Sequence, residues 1–263
     1  MPRSLITLTT DFGLTDHFVG AMKGVIASIA PLAQTVDLSH GLQKFDILEA
    51  AFFVGEFWKC WPKKSIHVVV VDPGVGSSRR PILVEADGQF FLGPDNGIFT
   101  FVFKDATKVS ARQLTNEKYF RKPLSRTFHG RDIFAPVAAH LGNGVKPALL
   151  GPKVADALRL AVPSPERTSR RTFTGTILKV DHFGNMITNF KAPDFAAIQT
   201  SPFEMSIGLQ TVRHLALHYS ECDPGELFVI EGSSGYLEVC LNQDSAARTL
   251  GCSSGAPVEL TLF

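Results

Sequence analysis

The chain has 263 residues and is 44% hydrophobic, enough for one large domain or two small ones with proper cores. Twenty-six Lys and Arg against 25 Asp and Glu leave a formal net charge of +1, which removes the global field that would favour nucleic acid or an anionic membrane. Cys60, Cys222, Cys240 and Cys252 show no C-x-x-C spacing, and no stretch approaches the ~20 apolar residues of a membrane span. A strand-like run begins at Leu5 and leaves no room for a signal peptide, so the expectation is a reduced, cytoplasmic, globular protein.

LITLTT (5–10) alternates like a strand and ends at Asp11. Phe18, Met22, Val25, Ile26 and Ile29 follow at helical spacings of three and four, stopped by Pro31. TVDLS (35–39) reads as a second strand. Asp46 with Glu49 three residues on predicts a capping box, opening a helix whose inner face is Ile47, Ala50, Ala51, Val54 and Trp58. The valines of VVVVDPGVGSSRR (68–80) form a third strand. Strands separated by helices of this length predict an α/β domain with a mainly parallel sheet covered on both faces. Ligands bind such sheets outside the carboxyl ends of the strands, which is where Asp11 and Asp72 emerge. TFHGRDIFAPVAAHL (127–141), a loop feeding a helix, is a third rim segment.

Residues 1–161 make up this first domain, and the polar, basic stretch 162–172 reads as a linker. From 173 to 263 short strand-like pieces alternate with turns, and GSSG (232–235) joins two of them as a hairpin. That pattern predicts an all-β, barrel-like second domain.

Several polar residues have two readings. Asp11 and Asp72 each suit an Asx-turn or N-cap; the functional reading of Asp11 is a carboxylate accepting both hydrogen bonds from a ribose diol. Arg79 and Arg80 suit a solvated surface, yet the Gly74–Gly76 turn could return one of them to Asp72. His129 is either structural or a rim residue with a chemical role. Gly184-Asn185 signals a tight hairpin, and beside it Phe183 could stack on a base while Asn185 hydrogen-bonds it. His214 and His218 lie in a strand-like stretch where their spacing does not converge, so no metal site is expected. The chain has no P-loop, no G-x-G-x-x-G and no G-x-S-x-G.

Taken in order, TTDFG, FDILEAA, VVDPGVGSSRR, GPDNGIF, TFHGRDIFAPVAAHL, DHFGNMITN and GSSGYLEVCLN resemble the S-adenosyl-L-methionine (SAM) hydroxide adenosyltransferases. These are the adenosine-forming SAM hydrolases, relatives of the SAM-dependent fluorinase and chlorinase. The resemblance spans nearly the whole chain. It implies an N-terminal α/β domain, a C-terminal barrel and a homotrimer, with sites where one subunit's N-domain meets a neighbour's C-domain. It implies hydrolysis of SAM to adenosine and L-methionine by a water-derived nucleophile at C5′, with no metal and no cofactor. By position, Asp72, Arg79 and His129 would be the catalytic triad, Arg79 being preferred to Arg80 on spacing. Asp11 would bind the ribose and Phe45 would line the pocket; Asp181, Phe183, Asn185, Ser233, Glu238 and the backbone near Leu241 would hold adenine and the methionine part. Halogenases typically carry a tyrosine in place of Asp72, lack the histidine, and in fluorinases have a serine where this chain has Gly130. The alternatives are such a halogenase or a non-catalytic adenosine-binding module.

Overall fold

The computed structural model describes residues 4–263, which form two compact units, one ending at Leu160 and the other starting at Ala161. The first unit opens with β1 (Leu5–Thr10), α1 (Phe18–Ile29), β2 (Gln34–Ser39), α2 (Ile47–Phe57) and β3 (Ile66–Val70). This is the β-α-β-α-β order the periodicity predicts, and β1 pairs in parallel with both β2 and β3. Asp46 caps α2 by accepting from the Glu49 amide at 2.9 Å. The Glu49 carboxylate accepts from the Gln43 amide at 3.1 Å, and the Asp46 amide donates to the Gln43 carbonyl at 3.2 Å.

The unbroken valine run has a simple cause. Val68 and Val70 pack into the core beneath α1, while Val69 and Val71 pack into the core beneath α2. Both faces are covered, so no alternation appears, and each buried valine contributes roughly 1.5–3 kcal/mol.

The sheet continues through β4 (Pro81–Ala86), β5 (Gln89–Pro94), β6 (Val109–Gln113) and β7 (Lys153–Val154), in the order β2-β1-β3-β5-β4-β6-β7. β3 and β5 are parallel, but the β5-β4, β4-β6 and β6-β7 pairs are antiparallel. The sheet is therefore mixed rather than mainly parallel. Asp87 (φ 45°) and Gly88 (φ 88°) make a two-residue hairpin turn after β4, a backbone that returns the chain antiparallel to itself. α3 (Thr100–Asp105) and α4 (Ala135–Gly142) complete the helices of this unit.

His67, the second residue of β3, is fully buried. Gln89 uses its amide nitrogen on the Trp58 and Trp61 carbonyls, so its oxygen accepts from His67 Nε2 at 2.7 Å. His67 Nδ1 is then the acceptor for the Thr7 hydroxyl at 2.7 Å, which fixes a neutral ring. Burial pushes its pKa down to about 4. A depressed folded pKa gives stability that is complete above the unfolded value and lost as pH falls through the folded one. The unfolding free energy should drop by on the order of 3 kcal/mol between about pH 6.5 and pH 4 from this residue alone. Urea melts across that window, with His67→Gln as the flatter comparison, test it.

The second unit carries β8 (Glu166–Arg167), β9 (Thr172–Val180), β10 (Met186–Lys191), β11 (Phe203–Ile207), β12 (Gln210–Val212), β13 (Leu215–Ala216), β14 (Leu227–Glu231), β15 (Tyr236–Leu241), α5 (Ala246–Leu250) and β16 (Pro257–Leu262). β8 lies inside the stretch expected to be a linker and pairs with β9. β9 pairs with β16 through its first half and with β10 through its second, so one strand links two arcs of a strongly curled sheet. At the switch, a Cβ on Gly175 would stand 2.3 Å from Asn189 Oδ1. That oxygen holds the Thr176 amide at 2.9 Å. α5, capped by Ser245 and ended by Gly251 at φ 63°, is a helical element in a unit expected to be all-β.

Candidate active site

β1 and β3 are neighbours in parallel register, Thr10 opposite Val70, so Asp11 and Asp72 emerge at the same edge of the sheet. After Asp72 the chain doubles back. The Val75 amide bonds the Asp72 carbonyl at 3.2 Å, and the Ser77 hydroxyl bonds the Gly74 carbonyl at 2.6 Å. Gly76 has φ +79°, and a Cβ there would stand 2.3 Å from the Arg126 carbonyl oxygen. Only glycine lets the turn seat against the 126–130 segment.

The fold back carries Arg79 onto Asp72. Arg79 Nε donates to Oδ1 at 3.1 Å and Nη2 donates to Oδ2, a two-pronged grip on the carboxylate. The other Nη2 proton goes to His129 Nδ1 at 2.7 Å. Arginine cannot accept, so Nδ1 must, and a neutral His129 carries its proton on Nε2. Burial, reinforced by the Arg79 charge, holds the His129 pKa below the ordinary histidine value despite Asp72 and Asp132 pulling upward. The Asp72 and Arg79 side chains are only 4% and 9% exposed, and Arg79 Nη1 is buried without a protein partner. Arg80 turns elsewhere, to Asp95 and Asp156 at 2.8 Å each. Of the two, Arg79 is the one that contacts Asp72.

His129 stands at the mouth of one π-helical turn, Gly130–Phe134, in which the Ala135 amide reaches back to the Gly130 carbonyl. The anchor of this segment is Asp132, a residue the sequence reading passed over. Fully buried, it accepts from Arg131 at 2.7 and 2.9 Å, from Arg121 at 3.3 Å and from the Ser125 amide at 2.8 Å. Its signal was visible as an acid three residues before the start of α4. Gly130 is walled in: a Cβ would approach Met22 Sδ to 3.2 Å and the Phe12 and Phe128 rings to 3.6 Å.

A cavity of about 230 Å³ opens here, lined by Asp11, Asp72 and His129 among the aromatic rings of Phe12, Phe45 and Phe128. Arg79 is not in its wall; it sits behind and orients the two groups that are. Asp11 Oδ2 accepts from the Phe45 amide at 3.0 Å. Phe45 has φ 67°, a strained conformation for a bulky residue, and its side chain is largely exposed beside the cavity.

In the second unit the β9–β10 turn is built by Asp181. Oδ1 accepts from the Phe183 and Asn185 amides at 2.9 Å each, and Oδ2 accepts from Asn185 Nδ2 at 2.9 Å. The other Nδ2 proton goes to the Tyr219 hydroxyl at 3.0 Å, and Asn185 as a whole is 5% exposed. Phe183 is 75% exposed, a bare aromatic face. Glu238 faces the same neighbourhood from β15, opposite Ile187, and its carboxylate covers Gly232. Ser233 sits exposed in the β14–β15 turn, whereas the Leu241 side chain is packed in the core. Tyr219 was not foreseen, because the turn that delivers it lies in a stretch read as continuous strand.

A carboxylate, a guanidinium and an imidazole joined by charge-assisted hydrogen bonds, at the strand ends of a mixed sheet and beside an aromatic cavity, are the equipment of an enzyme that handles water or a proton. Comparison with known proteins makes the class specific. Residues 6–151 match the SAM hydroxide adenosyltransferase N-terminal domain, and residues 175–259 match the corresponding C-terminal domain. The (R)-S-adenosyl-L-methionine hydrolase of Salinispora arenicola is 36% identical over 258 residues, covering 97% of each chain. A fluorinase of Nocardia brasiliensis is 25% identical over 290 residues, covering 98% of this chain and 97% of that one. The crystal structure of an uncharacterized conserved protein from Thermotoga maritima superposes with a TM-score of 0.90 at 33% identity, over 97% of this chain and 99% of that one. This chain belongs to the SAM hydroxide adenosyltransferase family.

Proposed function

We propose that the chain hydrolyses SAM to adenosine and L-methionine, with Asp72, Arg79 and His129 acting on the attacking water. The observation that carries this reading is the three-way contact at the cavity edge, together with full-length relatives named SAM hydrolases. SAM is a sulfonium cation, and the reaction forms a C5′–O bond as the C5′–S bond breaks, the sulfur leaving with the electron pair. Water with a pKa near 15.7 needs help to attack. His129 Nδ1 is occupied by Arg79, so His129 offers Nε2–H as a donor that orients the water. Asp72 has lone pairs left after its two bonds to Arg79 and accepts the proton. Attack of an oxygen that is losing a proton on a sulfonium cancels charge, so a largely apolar cavity favours the transition state.

Asp11 takes the ribose hydroxyls, with Phe45 beside them. The curled sheet of the second unit is a small barrel whose Phe183 stacks on adenine; Asn185 Oδ1 accepts from its amino group, and Asp181 shapes the turn. Glu238, Ser233 and the backbone at Leu241 serve the methionine part. The first unit's cavity, at about 230 Å³, is smaller than the roughly 300–1,000 Å³ of ordinary ligand pockets. A homotrimer in which a neighbouring subunit covers the exposed Phe45 supplies the remaining surface. Hydrolysis needs no metal or cofactor, and the free cysteines suit a cytoplasmic setting. Among the described residues no helix is long and apolar enough to cross a membrane.

Incubation with SAM in chloride buffer, followed by chromatography, decides the reaction. Adenosine and methionine in equal amounts are expected; 5′-chloro-5′-deoxyadenosine, or intact SAM with adenosine bound, overturns the reading. A second expected result concerns protonation. The His129 imidazole, followed by NMR, should titrate below the ordinary value of about 6.5 and move upward in Arg79→Gln, since the neighbouring guanidinium opposes its charge. An unmoved titration would remove Arg79 as the group that sets its tautomer.

A further inference from the structure

Away from the triad, the second unit brings three unlike ligand groups together. The His214 imidazole, the Cys222 thiol and the Glu226 carboxylate place one ligand atom each within 4.8 Å of one another. His214 Nδ1 lies 2.7 Å from Glu226 Oε1 and 3.8 Å from Cys222 Sγ. The same imidazole nitrogen faces both partners. That is not a relay, in which the two ring nitrogens would be divided between nucleophile and acid. It is a convergence of three potential ligand atoms on one point, with a proton still held between His214 and Glu226.

The frame around the three is already fixed. The His214 carbonyl accepts from the Val229 amide at 2.8 Å, pinning it beside β14. The Cys222 carbonyl accepts from Asn242 Nδ2 at 2.7 Å, and the Gly225 amide donates to the Asn242 carbonyl at 2.9 Å. Glu226 keeps its orientation because Oε2 accepts from the Asp223 amide at 2.9 Å. Cys222 is buried, while the His214 and Glu226 side chains are 40% and 37% exposed, so the cluster has a closed floor and an open side. His218, the other histidine of HLALH, plays no part; it pairs with Glu221 at 3.4 Å. The convergence is made by a Cys-Asp-Pro-Gly-Glu turn, not by the histidine spacing.

We propose that His214, Cys222 and Glu226 form a binding site for a borderline-soft divalent cation, zinc foremost, with water in the fourth position. A thiolate, an imidazole and a carboxylate in one tetrahedral sphere match the ligand chemistry of zinc, and the sulfur discriminates against magnesium and calcium. Binding displaces the proton shared by His214 and Glu226 and the thiol proton of Cys222. It ties the two-residue edge strand β13 to the turn before β14, a local staple separate from the SAM reaction.

Cobalt is the probe, because a cobalt–thiolate bond absorbs in the near ultraviolet. Full-length protein stripped with chelator should take up one equivalent of cobalt with a thiolate charge-transfer band, and zinc should abolish that band by displacement. Cys222→Ser should lose the band and at least about a hundredfold in affinity, no less than the loss of an outer-shell partner costs. Cys60→Ser, altering an exposed thiol elsewhere, should keep both. Should Cys222→Ser fail to fold, Glu226→Gln serves instead, with weaker zinc binding and a smaller zinc-induced rise in melting temperature. No charge-transfer band in the wild type, or a band that survives in Cys222→Ser, overturns the proposal.

Discussion

Asp72→Asn should lower SAM turnover by about 10²–10⁴-fold, the range typical of a lost proton acceptor. Asparagine keeps the shape and can still accept one bond from Arg79, but its amide nitrogen has no lone pair for a proton. The substitution also leaves the guanidinium without a counter-charge in a site where its side chain is 9% exposed. Breaking a buried pair by removing one partner costs on the order of 3–5 kcal/mol, so a melt must first show that the variant is folded at the assay temperature. Adenosine binding, measured by calorimetry, should change little, because the ribose is assigned to Asp11. Turnover within tenfold of wild type in a folded protein would mean that Asp72 only orients its neighbours and that the proton leaves by another route.

Gly76→Ala should be the most damaging methyl group that can be added to the rim. The φ of +79° costs an L-residue about 1–2 kcal/mol, and the new Cβ would lie 2.3 Å from the Arg126 carbonyl oxygen, which is backbone and cannot swing aside. With overpacking adding about 1–3 kcal/mol, a loss of about 2–5 kcal/mol is expected in chemical denaturation. Turnover should fall too, since lifting the 72–79 turn breaks the Arg79 contact with His129. Gly74→Ala is the control. Its Cβ would meet nothing closer than Ser77 Oγ at 3.4 Å, and it should cost far less.

The contrast between these glycines shows what could be read from the chain. Asp11, Asp72 and the 127–141 segment were predictable at one rim because strand exits in a β-α-β pattern face the same way. The valine run and the Asp46 cap were equally legible, each being a local signal with a local cause. Arg79 over Arg80 rested on spacing from Asp72 alone. The two are adjacent and identical in type, and what separates them is Asp95 and Asp156, which claim Arg80 from distant positions. The antiparallel half of the first sheet had a visible sign in Asp87-Gly88, a hairpin dipeptide between apolar runs, but the preceding β-α-β rhythm overrode it. Asp181 joined both readings of its turn, for its carboxylate builds the hairpin that presents Phe183 and Asn185. Tyr219 and the Cys222 cluster lay beyond reach, since both depend on short turns that interrupt a stretch patterned like strand.

The π-helical turn at Gly130–Phe134 sets how this chain tolerates length changes. A π turn holds one residue more than the α-helical turn it replaces, and in an α-helix one residue is a rotation of about 100°. Deleting a single residue there would let α4 run on as a regular helix, its packing against β1 and β3 undisturbed. His129, upstream of the deletion, would be turned by that angle away from Arg79. The turn works as a phase offset between a helix that holds the unit together and the side chain that faces the cavity, so the two can vary independently only while its length is kept.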